Sequence, residues 1–68
     1  MKNNSIKLKT KKDELEFIIE KDFDEVGYYL YVYKNGKCIY DYLQDTLILT
    51  KEFAREEFGV LEDNWEPF

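Results

Sequence analysis

Six tyrosines, fifteen carboxylates and a single cysteine are the side chains of this 68-residue chain that could take part in chemistry, and histidine is absent. Without histidine the chain lacks the commonest general base and the commonest transition-metal ligand. With Cys38 as its one thiol it cannot assemble the usual cysteine–histidine zinc sets, nor an internal disulfide. Cys38 also has no imidazole to activate it as a nucleophile, and in a strand beside Tyr33 it reads as a small apolar filler. The carboxylates do not pair well either. Glu56 and Glu57 are neighbours on a helix and point apart, while Glu52 and Glu56, four apart, share a solvated face. The DFDE run from Asp22 to Glu25 lacks the alternating Asp/Asn ligands, central glycine and distal glutamate of a calcium loop. A glycine-rich phosphate loop and a nucleophile elbow are both missing. A non-enzymatic protein is expected, with no catalytic residue, metal or cofactor.

The tyrosines are the remaining signal. All six fall within GYYLYVYKNGKCIYDYL, Gly27 to Leu43. Tyr28 to Lys34 and Lys37 to Leu43 read as strands, and Asn35-Gly36 between them is the most favourable dipeptide for a two-residue type I′ turn. With that turn and a regular ladder, Tyr33 faces Cys38, Tyr31 faces Tyr40 and Tyr29 faces Tyr42, all on one face. The opposite face then carries Tyr28, Leu30, Val32, Ile39, Asp41 and Leu43. Being more aliphatic, it is expected to face the core, although it leaves Asp41 there, near a helix N-terminus. A three-residue loop with a glycine bulge is the alternative; it shifts the register and moves Ile39 to the tyrosine side. In the regular register Tyr29, Tyr31, Tyr33, Tyr40 and Tyr42 form an outer aromatic face. Tyrosine has high strand propensity, so such a face has a purely structural reading. It also has a functional one, because tyrosine supplies large, stiff contact area at interfaces.

The surrounding elements follow from periodicity. Ser5 to Thr10 alternates apolar and polar, as does Leu15 to Glu20 with Ile18 the exception, and Lys11-Lys12-Asp13 joins them as a tight connection. A helix over Lys12 to Lys21 competes, but the β-branched pair Ile18-Ile19 and the lack of a cap favour a strand. Asp22 to Val26 reads as a loop whose Phe23 plugs the core edge. Asp45-Thr46 offers an N-cap to a helix that presents Leu47, Thr50, Phe53, Ala54 and Phe58 on one face and stops at Gly59. Trp65, in the tail from Leu61, is expected to fold back over the helix end or the sheet edge. The fold class is α+β: one domain over residues 1–68, a three- to four-stranded antiparallel meander (β-β-β-β-α) with one C-terminal helix packed on one sheet face.

Composition bounds the partners. The chain is 44% apolar and 37% charged, with a net charge of −5. Residues 1–12 hold five lysines and no acid, and the rest of the chain carries a net −10. An acidic body disfavours phosphate-directed binding and favours a basic protein partner by electrostatic steering. The opening MKNNSIKLKTKKDE lacks the apolar core of a signal peptide, and no apolar run nears the roughly 20 residues of a membrane span. A cytoplasmic location is expected.

From Gln44 to Trp65, QDTLILTKEFAREEFGVLEDNW resembles the C-terminal end of many short bacterial proteins. In these a strand hairpin precedes an aspartate–threonine–leucine cap, an amphipathic helix, a Glu-Phe-Gly-Val stop and a tryptophan. The likeness extends over the GYYLYVY–GKCIYDYL hairpin, so it takes in residues 27–65. Thr50 departs from it, since alanine is usual there, and slightly looser helix packing is implied. The relatives are of unassigned function, several of them immunity-like, and the resemblance carries over no catalytic residue.

Three functions remain in play. The first is a protein-binding module acting through the tyrosine face, as an immunity-type protein or an inhibitor with a basic partner. The second is a homodimeric accessory protein whose sheet faces pack together. The third is a single-stranded nucleic-acid-binding sheet, with bases stacked on tyrosines beside Lys7 and Lys9; Glu14, Glu16 and Glu20 oppose it.

Overall fold

The computed structural model describes residues 5–21 and 26–68. Four strands run antiparallel in chain order: β1 (Ile6–Lys12), β2 (Leu15–Lys21), β3 (Tyr28–Lys34) and β4 (Lys37–Gln44). The helix α1 (Leu47–Phe58) follows, then one 3-10 turn (Glu62–Asn64) and a two-residue strand, β5 (Glu66–Pro67). The α+β meander is as the sequence predicts, with one addition. The tail returns to the sheet as β5, paired antiparallel with β1, so the order across the sheet is β4-β3-β2-β1-β5. The Phe68 amide extends that edge by donating to the Lys7 carbonyl at 3.2 Å. Phe23 and the Asp22–Glu25 run lie outside the described residues.

Local chemistry explains the two turns and the two ends of the helix. Lys12 pairs with Leu15, so the first turn is Asp13-Glu14 and β1 runs to Lys12, further than its alternation alone implies. Asp13 takes a φ of 59°, a left-handed conformation that aspartate tolerates better than most residues. Asn35 and Gly36 both have positive φ, 53° and 77°, as a type I′ turn requires. The Thr46 hydroxyl caps α1 by accepting the Leu49 amide at 3.1 Å. Gly59, in the left-handed region, closes the helix with its amide 2.9 Å from the Arg55 carbonyl.

The core lies between α1 and one face of the sheet. Phe17, Ile19, Leu30, Val32, Ala54, Val60 and Trp65 are buried, and Leu8, Leu15, Tyr28, Leu47, Phe53 and Phe58 pack around them. Trp65 therefore belongs to the core itself. Thr50, also fully buried, donates its hydroxyl to the Thr46 carbonyl at 2.7 Å. Its polar atom is satisfied within the helix, and that accounts for a threonine at a core position.

The β3–β4 pairing corrects the expected register. Lys34 pairs with Lys37 and Tyr33 with Cys38, as the type I′ turn dictates. One step further Val32 pairs with Tyr40, Tyr31 with Asp41, Leu30 with Tyr42 and Tyr29 with Leu43. Ile39 is the extra residue of a β-bulge, and every residue after it changes face. The expected pairs Tyr31–Tyr40 and Tyr29–Tyr42 do not form. The bulge does not arise from a three-residue loop; it lies within β4, beyond an intact two-residue turn. Its physical benefit is plain at Asp41: the regular ladder would aim this carboxylate at the helix, where burying an unpaired charge costs several kcal/mol. The observed register turns Asp41 and Leu43 outward and brings Tyr42 inward.

Candidate functional site

The five tyrosines expected on one surface are divided between two. Tyr29, Tyr31 and Tyr33 remain on the outer face of β3, away from α1. Tyr40 and Tyr42 lie on the helix side of β4, where they build an aromatic cluster. The Tyr42 ring is 4.5 Å from that of Phe53 and 6.4 Å from that of Phe58, and Tyr40 lies 6.2 Å from Phe58. Phe58 in turn contacts Phe17 at 5.2 Å. Such tilted pairs contribute about 0.5–1.5 kcal/mol each beyond area burial. Tyr42 therefore stabilises the fold, while Tyr40, 50% exposed, rims the cluster.

The outer face is ordered in rows. Lys9, Ile18, Tyr31 and Asp41 stand in register across four strands; Lys7, Glu20, Tyr29 and Leu43 form a second row, and Lys11, Glu16, Tyr33 and Cys38 a third. Read by strand, β1 is basic, β2 places Ile18 between two glutamates, β3 is all tyrosine, and β4 supplies Asp41 and Leu43. Tyr29 and Tyr31 stack at 5.9 Å with planes 12° apart. At the β5 edge the Lys9 ammonium lies 5.2 Å from the centre of the Phe68 ring, within cation–π reach. The centre of this face, Ile18 with the three tyrosines and the half-exposed Leu43, is apolar and lacks the helix that covers the other side.

The electrostatics of the face follow from its neighbours. Partial burial raises the Tyr31 phenol above its usual value, and the charges of Glu20 and Asp41 act the same way. Across the sheet, burial likewise raises the Tyr42 phenol, with Tyr40, Glu57 and Asp41 adding to it. Lys11 approaches Glu16 at 3.9 Å, an exposed pair, whereas Asp41 makes no ion pair among the described residues.

Cys38 is exposed, with its thiol directed at the Tyr40 carbonyl 3.4 Å away, which corrects its reading as a packed filler. No group of three potential metal-binding side chains converges among the described residues. An open hollow of about 460 Å³ across β1 and β2 is lined by the exposed Lys9, Lys11, Glu16, Asn64 and Glu66 together with Thr10, Phe17 and Ile18. Among the described residues no helix is long and apolar enough to cross a membrane. Compared with known proteins, the chain matches no family model, no curated protein and no solved structure.

The division of the tyrosines had a signal in the sequence. Asp41 among core-facing residues was the mark of a ladder out of step, and a bulge is what removes it.

Proposed function

We propose that this is a non-enzymatic protein-binding module whose contact surface is the outer sheet face around Tyr29, Tyr31 and Tyr33. The observation that carries the reading is the asymmetry of the sheet. One face is sealed by α1 and Trp65, while among the described residues no element covers the aromatic and aliphatic centre of the other, which is half-buried and rimmed by charge. Apolar patches of this kind on small domains mark interaction sites. Tyr40 and Tyr42 leave the proposed surface, and Ile18 and Leu43 join it.

The charge pattern bears on the partner. The outer face mixes lysines with carboxylates, so it is not the acidic surface a basic nuclease or toxin would seek. Among the described residues, Glu52, Glu56, Glu57, Glu62 and Asp63 form an acidic group on and after α1. An immunity-like role, suggested by the resemblance over residues 27–65, would draw on that group. For single-stranded nucleic acid, Glu16 and Glu20 separate the lysines from the tyrosines and oppose a phosphate track.

The test uses two baits, Tyr29→Ser/Tyr31→Ser on the outer face and Glu52→Lys/Glu56→Lys on the helix side, each compared with wild type in affinity capture. Native mass is recorded for all three. Loss of a bound protein, whether another chain or a second copy, from the first bait alone supports the reading. An unchanged bound set and mass for that bait would contradict it.

A further inference from the structure

Resting on the reading of the outer face as a contact surface, we propose that its occupant is a second copy of this chain, packed face to face about a two-fold axis parallel to the strands. The order of the strands makes the face self-complementary. Such an axis, placed between β2 and β3, lays β1 of one copy over β4 of the other and β2 over β3. Residues of one row stay in that row. Lys9 then meets Asp41 of the second copy, and Ile18 meets the Tyr31 ring. Glu16 and Glu20 lie over Tyr33 and Tyr29, whose phenol hydroxyls can donate to the carboxylates.

Each contact occurs twice, and each joins unlike partners. Asp41 gains the cation it lacks among the described residues of its own chain, and Lys9 is already held at the face by the Phe68 ring. The other in-plane axis, perpendicular to the strands, gives the opposite result. It lays β1 on β1 and β2 on β2, so lysines meet lysines and glutamates meet glutamates, an arrangement like-charge repulsion disfavours. The face is thus self-complementary in one orientation and self-repelling in the other.

Area sets the strength. Four strands spaced about 4.8 Å apart and seven residues long at about 3.3 Å each give a projected footprint on the order of 400 Å² per copy. A stable interface removes about 800 Å² of accessible surface per partner. Side-chain relief makes the accessible area larger than this projection, which puts the face at the small end of stable interfaces and predicts a dimer that dissociates on dilution. With the axis along the strands, the two sheets stay within the roughly 30° that aligned sheet packing spans.

Sedimentation equilibrium over a wide concentration range tests the proposal on wild type, Lys9→Glu, Asp41→Lys and the double variant Lys9→Glu/Asp41→Lys, with circular dichroism confirming that each is folded. Wild type should dimerise. Each single substitution should weaken dimerisation about tenfold, since it replaces an attraction by a repulsion at two symmetric places. The double variant should return to within about threefold of wild type. A wild type that stays monomeric at every concentration overturns the proposal, and so does a dimer indifferent to all three variants, which would use another surface. In either case the contact-face reading survives if the Tyr29→Ser/Tyr31→Ser bait loses a foreign partner, and falls if it loses nothing.

Discussion

Val32 pairs with Tyr40 while its neighbour Tyr33 pairs with Cys38, which leaves Ile39 without a partner across the strand. That single unmatched residue sends Tyr42 to Phe53 and Phe58 and turns Asp41 outward beside Tyr31. The same residue types therefore do different work on the two sides of one hairpin.

Stability should report this division. Tyr42→Ala removes a ring packed 4.5 Å from Phe53 and should cost about 2–3 kcal/mol, somewhat below the loss from a fully buried aromatic. Tyr29→Ala removes an outer-face ring and should cost less than about 1 kcal/mol. Urea denaturation of the two variants checks the ratio; equal losses would place both rings on the same side.

Deleting Ile39 is a sharper probe of register. With the bulge removed, Tyr40 follows Cys38 directly and still meets Val32, so all later side chains keep their faces. The deletion should fold and change stability by less than about 1.5 kcal/mol. Had β4 paired without a bulge, the same deletion would turn Tyr40, Asp41, Tyr42 and Leu43 to the wrong side, and the protein would unfold.

The buried indole offers a third comparison. Trp65 is only 8% exposed, and its Nε1 finds no acceptor among the described residues. Trp65→Phe keeps most of the ring and deletes the unpartnered donor, so it should cost less than about 1.5 kcal/mol. Trp65→Ala opens a cavity beneath β5 and should cost about 3–5 kcal/mol. Thermal unfolding in the calorimeter distinguishes them, and comparable losses would show that the indole nitrogen has a partner.

The raised phenols predict alkaline behaviour. Tyr31 and Tyr42 hold their protons to higher pH folded than unfolded, from an ordinary value of 10.0. Below that value both states are protonated and the associated stability is fully present. Above it the unfolded chain ionises first, so stability falls as pH rises through the folded values. Phenolate absorbance of the folded protein should include groups that ionise above the unfolded chain and that disappear in Tyr31→Phe and Tyr42→Phe, and an unchanged titration in these variants would contradict the burial assigned to the two rings.

Much of the architecture was legible because short-range chemistry dictates it. The alternation of Leu15, Phe17 and Ile19, the Asn35-Gly36 turn, the Thr46 cap and the Gly59 stop each act within a few residues. β5 was not legible: Glu66-Pro67 is too short for a periodic signal, and its place depends on Trp65 finding the core. The register of β4 was only partly legible. The turn sets the first two pairs, after which burial of Tyr42 and exposure of Asp41 outweigh the regular ladder, and that balance depends on Phe53 and Phe58 in a helix formed later in the chain. Three of the five tyrosines expected on the outer face are there, because β3 contains no bulge.

The most direct test of the contact surface is a dilution series followed by fluorine NMR on protein labelled with 3-fluorotyrosine, the six signals being assigned by single Tyr→Phe substitutions. Tyr29, Tyr31 and Tyr33 should shift with concentration as the outer faces meet, while Tyr42, sealed against Phe53, should not move. Signals that stay fixed throughout the series, or that move only at Tyr40 and Tyr42, would contradict the assignment of the outer sheet face as the surface on which two copies meet.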